Sequence, residues 1–68
     1  MANLPRNYRI GQRLLVSDWL DCTYLGTYKG EHRARVDAQG YHEPRGFAWY
    51  RCKPRVMALT AEMKVRVV

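Results

Sequence analysis

A chain of 68 residues has room for one domain with a small core, because at this size folding buries only about 60% of the surface the unfolded chain exposes. Its composition, 47% hydrophobic and 26% charged with no low-complexity run, excludes a disordered tail, and no apolar stretch approaches the length of a membrane-spanning helix. Twelve Lys and Arg against six Asp and Glu give a formal charge of +6, and nine of the twelve are Arg, whose planar guanidinium forks onto phosphate and carboxylate; the expected partner is nucleic acid or an acidic protein surface.

Residues 1–10, with Pro5 among polar and basic neighbours, read as an N-terminal arm, and Gly11 opens a single domain over 11–68. Arg13 to Val16 is a short strand closed by the turn formers Ser17 and Asp18. From Trp19 to Tyr28, Leu20, Cys22 and Tyr24 alternate with Asp21, Thr23 and Leu25, which predicts a strand with one core face and one wetter face, and Gly26 marks a bulge or bend. Lys29-Gly30 reverses the chain. Glu31 to Asp37 then places Ala34 and Val36 inward and Arg33, Arg35 and Asp37 outward.

Residues 38–46, with two glycines and a proline among polar residues, read as a functional loop. Phe47 to Lys53 is an aromatic strand that Pro54 ends, helix is expected only as a short turn around Leu59 to Glu62, and "MKVRVV" returns as the closing strand. Tyr24, Phe47 and Tyr50 are the aromatic core candidates. The two cysteines, Cys22 and Cys52, are too few for a disulfide framework and are expected to stay reduced. With no signal-peptide core behind Met1, the expected compartment is the cytoplasm.

Five short strands with tight connections predict an all-β fold closed into a small bent barrel, which removes sheet edges. The stretches "WLDCTYLGTYKGEHRARVD" and "FAWYRCKPRV" resemble the SH3-like or Tudor-like small barrel, in which a Trp opens a strand leading into a hairpin, a strand of alternating Val and Ala follows, and a last core position precedes a proline. Short bacteriophage accessory proteins are often of this kind. The resemblance implies a five-stranded SH3-like barrel and an accessory or regulatory binding role, exercised in the host cytoplasm if the chain is phage-encoded.

Half of the positive charge falls between Arg33 and Arg55, opposed there only by Asp37 and Glu43. If the third and fourth strands pair with Tyr50 and Cys52 inward, Arg33 and Arg35 share an outer face with Trp49, Arg51 and Lys53, and Arg45 and Arg55 extend it. Cations beside an exposed ring suit nucleic acid: the cations displace counterions from phosphates and the ring stacks on a base. Asp18 and Asp21, far from this cluster in sequence, predict a dipolar surface. Trp19, Tyr28, Tyr41 and His42, at strand ends or in loops, are candidates for a protein interface, and the rings of Trp19, Tyr28 and Tyr41 are also the type that cages a methylated amine.

Cys22, His32, His42 and Cys52 are zinc-ligand types but lack the close pairs that chelate, so no metal is expected. One serine, Ser17, no phosphate-binding glycine loop and no oriented nucleophile argue against an enzyme, and no cofactor is expected. Two functions follow: a non-catalytic module that binds nucleic acid, or a nucleic-acid-handling complex, through its basic Trp-containing face; or an inhibitor or adaptor that seizes an acidic patch on a host enzyme or defence complex. The chain acts as a monomer, or as a dimer if the C-terminal strand pairs across copies.

Overall fold

Two reversals with left-handed backbone set the sheet going. In a computed structural model that describes residues 8–68, strand β1 (Arg13–Val16) turns at Ser17 and Asp18, at φ 55° and 65°, into β2 (Leu20–Tyr28). Lys29 and Gly30, at φ 52° and 81°, then form the two-residue connection to β3 (Glu31–Glu43), with Tyr28 opposite Glu31. Turns with positive φ at both central residues match the right-handed twist of paired strands, and glycine takes the second position without steric cost. The hairpin expected at Lys29-Gly30 is present, as is a bulge beside Gly26, where the register shifts between Tyr24 and Gly26.

The chain continues through β4 (Gly46–Leu59) to β5 (Val65–Val67), and all five strands form one antiparallel sheet in the order β4-β3-β2-β1-β5. Alternation decides the core. Leu14, Val16, Leu20, Cys22, Tyr24, Ala34 and Val36 are buried on one face, joined by Leu59 and edged by Met57, Met63 and Val65. Each aliphatic side chain taken fully out of water contributes about 2 kcal/mol, so this small cluster carries much of the stability available to the domain. Of the expected arm, residues 1–7 lie outside the described residues, whereas Tyr8 packs its ring edge-on against Tyr24 at 5.3 Å. A hydrogen bond of 2.7 Å also joins the Tyr24 hydroxyl to His32 Nδ1 at the rim of this core.

The structure corrects four expectations. Residues 38–46 are not a loop: β3 runs unbroken to Glu43 and only Pro44 and Arg45 turn. Turn formers cluster there because a two-residue turn needs them, and Gly40 stands in the strand for a packing reason given below. Pro54 does not end β4, which continues to Leu59; β4 is the sheet edge, and Pro54 falls where three residues, Cys52 to Pro54, oppose Asp37 in a bulge. A proline on an edge strand at a bulge forfeits no ladder bond.

Phe47 and Tyr50 are not core residues, being 43% and 48% exposed: Phe47 pairs with His42, beyond the reach of β2, and Tyr50 pairs with Gln39, the last β3 residue that β2 reaches. Finally, the sheet is open. The expected five antiparallel strands are there, but β4 and β5 occupy opposite edges and do not pair, so no closed barrel forms. Thirteen residues of extended β3 reach roughly 40 Å, matching the longest of the dimensions, 40 × 26 × 16 Å.

No helix forms in the described residues; the turn expected before the last strand is a single reversal closed by Met63 N–H to Thr60 O at 3.1 Å. None of the described residues belongs to a helix long and apolar enough to cross a membrane. The C-terminal strand pairs within the chain, Leu14 facing Val67 and Val16 facing Val65.

Candidate functional site

The cations divide by strand. Arg13 bonds Asp21, Arg33 bonds Glu31, Arg35 bonds Asp37, and Lys64 and Arg66 both bond Asp18. Arg45, in the β3–β4 turn, and Arg51, Lys53 and Arg55, on β4, have no ion pair among the described residues, and β4 itself contains no acid. The fourth strand therefore presents uncompensated charge along an exposed edge. The expected acidic pole is absent: Asp18 and Asp21 are both neutralised, and the hydrogen bond from Lys64 holds the Asp18 carboxyl below its ordinary value.

The outer face of the sheet holds a polar cleft of about 500 Å³ whose walls include Arg13, Asp21, Thr23, Arg35, Asp37 and Arg51. Cross-strand pairing explains the assembly, since Arg13 faces Thr23 and Thr23 faces Arg35, which lays polar side chains of three neighbouring strands in one row. Arg51 enters because two irregularities converge beside Asp37, one against β2 and one against β4. Arg13 donates from Nε and Nη2 to Asp21, and the bond to Asp21 raises the Arg13 pKa. Arg35 donates from Nε to Asp37 at 2.7 Å and from Nη2 to Thr23 at 3.4 Å, and the Thr23 hydroxyl donates to Asp37 at 2.6 Å. Burial pushes the Asp37 carboxyl up, but the bonds from Thr23 and Arg35 outweigh it and hold the group below its ordinary value. Asp37 is thus a fixed anion that orients Arg35.

A second cleft, of about 300 Å³, adjoins the first and is lined by Arg13, Leu15, Asp21, Trp49 and Val68, so Arg13 and Asp21 form a shared wall. Trp49 is 46% exposed and meets Phe47 edge-on at 5.3 Å and 74°. Phe47 in turn lies over Gly40, where an added Cβ would collide with its ring. That close approach is why a glycine interrupts β3. The opposite face of the same ribbon carries Tyr41 and Tyr50, with ring centroids 5.9 Å apart, and the Tyr50 hydroxyl donates to Glu43, which raises its pKa.

The expected face is thus assembled in part. Arg35, Arg51 and Trp49 border the two connected clefts, but by a different register from the one expected: Arg35 faces Val56 and Arg33 faces Ala58, while Trp49 faces Gly40 and Arg51 faces Ala38. Arg33 stands apart, its guanidinium 5.0 Å from the Tyr28 ring and bonded to Glu31. Lys53 lies in the bulge, Arg55 faces Val36, and Arg45 is at the ribbon tip.

The rim aromatics do not gather. Trp19 sits at the β1–β2 turn, where its carbonyl accepts from Gly40 N–H at 2.8 Å, and Tyr28 ends the nine-residue β2, about 25 Å away along the strand. Tyr41 and His42 are on the ribbon, His42 edge-on to Phe47 at 5.1 Å. No cage is formed by Trp19, Tyr28 and Tyr41. The cleft residues Arg13, Asp21, Thr23 and Asp37 were not expected as site residues, although polar side chains at alternate outward positions of three successive strands are a signal that period-two reading carries.

Among the described residues no three His, Cys, Asp or Glu stand close enough to hold a metal ion. Cys22 is buried and Cys52 half-buried, both as free thiols, and burial pushes the Cys22 thiol up to about 11, far from a reactive thiolate. The site brings together fixed guanidinium forks, an arginine with no ion pair among the described residues and an exposed indole. Comparison with known protein families, with curated proteins and with solved structures gives no match.

Proposed function

We propose that the protein is a small non-catalytic all-β binding module, accessory or regulatory in role, that engages nucleic acid through β4 and the outer face beside it. The observation that carries this reading is the division of charge: every cation of β4 is without an ion pair among the described residues, next to the half-exposed ring of Trp49. Cations without ion pairs along an exposed edge are available to offset phosphate charge, whereas exposed charge adds little to the stability of the fold. The module then acts by occupying or delivering nucleic acid within a larger complex, without transforming it.

Salt tests this directly. If Arg45, Arg51, Lys53 and Arg55 each displace a counterion, the logarithm of the binding constant falls against the logarithm of salt concentration with a slope of about −3 for a single strand. A slope near zero, or no binding of single or double strands at low salt, rejects the reading.

One observation favours a protein partner instead. Tyr41 and Tyr50 are about half exposed on the ribbon face opposite Phe47 and Trp49, so both faces of a two-stranded arm carry rings. Such rings anchor interfaces, and an inhibitor or adaptor would use them against an acidic patch of its target. In that case a complex recovered from the native host survives nuclease and is lost in Tyr41→Ala.

A further inference from the structure

The two clefts of the outer face place an anion site and a flat ring side by side. Arg35 and Arg51 border the polar cleft, Trp49 borders the apolar one, and Arg13 with Asp21 divides them. We propose that the ligand of this face is single-stranded nucleic acid, seated so that one nucleotide straddles the shared wall with its phosphate at Arg51 and Arg35 and its base stacked on Trp49. This rests on the nucleic-acid reading above and narrows it to one strand state.

The phosphate and base of one nucleotide are joined through a single sugar, so a nucleotide unit offers an anion and a planar ring at adjoining positions, as these two clefts require. A duplex does not offer the ring, because its base faces are stacked on their neighbours and only base edges open into the grooves. A single strand exposes base faces, and aromatic side chains take them with little regard for sequence. The Trp49 ring is held for this by Phe47, which itself rests on the bare backbone at Gly40.

The donors are arranged to match. Asp21 engages Nε and Nη2 of Arg13, and Asp37 and Thr23 engage Nε and Nη2 of Arg35, which fixes both planes and leaves Nη1 of each without a side-chain partner among the described residues. Arg51, with no carboxylate of its own, supplies the charge that the two aspartates do not cancel.

The test is fluorescence anisotropy with an end-labelled mixed-sequence oligonucleotide of about twelve residues and with its blunt duplex, at matched low salt. The single strand is expected to bind at least about tenfold tighter than the duplex. Trp49→Ala is expected to lose on the order of ten- to a hundredfold in single-strand affinity, the range for one stacked base, and Trp49→Phe to keep most of it. Trp49 lies outside the buried core, and the far-ultraviolet circular dichroism of both variants confirms folding. A duplex bound as tightly as the single strand, or an unchanged affinity in Trp49→Ala, overturns the single-strand seat and leaves nucleic-acid binding standing; no binding of either form removes both.

Discussion

The sheet formed by β1, β2 and the first half of β3 and the ribbon formed by the second half of β3 and the start of β4 are made of similar residues put to opposite use. In the former, apolar side chains alternate into one buried cluster and every arginine is tied to a carboxylate. In the latter, pairing outlasts the sheet that would cover it, so Tyr41, Phe47, Trp49 and Tyr50 stay about half exposed, and Arg45 and Arg51 have no ion pair among the described residues. A hairpin two strands wide cannot bury a face by itself. The difference teaches that this chain concentrates its stability in three strands and leaves the ribbon free to contact something else.

That contrast is tested most strongly in the core. Leu14→Ala is expected to cost about 3 kcal/mol of unfolding free energy in urea titration, as for other fully buried leucines, whereas Trp49→Ala costs under about 1 kcal/mol. Comparable losses at the two sites would erase the distinction. The next largest effect is alkaline. An unfolded Cys22 thiol ionises near 9 and the buried one near 11, so the stabilisation is fully present below pH 9 and is lost as pH rises toward 11, by about 3 kcal/mol at most. Comparing the pH dependence of wild type with that of Cys22→Ala isolates this from tyrosine and lysine titration; identical curves would mean that the thiol is not sequestered.

A smaller effect probes how the ribbon is organised. Gly40→Ala pushes the Phe47 ring off the strand at a cost within about 1 kcal/mol, because the ring end is free to swing outward. The sharper readout is magnetic: the Gly40 Hα resonances are expected upfield under the Phe47 ring and return to ordinary values in Phe47→Leu. Ordinary values in the wild type would show that the ring does not lie there. The smallest effect belongs to the charges. Replacing Arg51, Lys53 and Arg55 together by Ala is expected to leave stability within about 0.5 kcal/mol while flattening the salt dependence of single-strand binding by about 2 units of slope. A large destabilisation would mean that these cations serve the fold.

Much of the fold was legible because period two is a local signal. Cys22, Tyr24, Ala34 and Val36 were expected inward and are buried, and the Lys29-Gly30 reversal and the bulge at Gly26 follow from turn chemistry. The stretch from Gln39 to Gly46 misled because its residues suit a loop and a hairpin equally. Gly40 owes its presence to the Phe47 ring, a contact seven residues away in the chain that no local pattern announces.

The sequence by itself determined the all-β class, the inward and outward sets of β2 and of β3 as far as Asp37, and the Arg-rich excess of charge, since each depends on neighbours in the chain or on composition alone. Register, closure and the site were decided by the tertiary structure. Arg51 meets Arg35 through bulges at Asp37 and at Cys52 to Pro54, the acids distribute themselves to Arg13, Arg35, Lys64 and Arg66 and leave β4 bare, and the sheet stays open because β4 and β5 lie at opposite edges. The first two turn on which residues face one another across strands, so a one-residue shift in pairing would change them, and the last turns on strand order; none alters the local pattern.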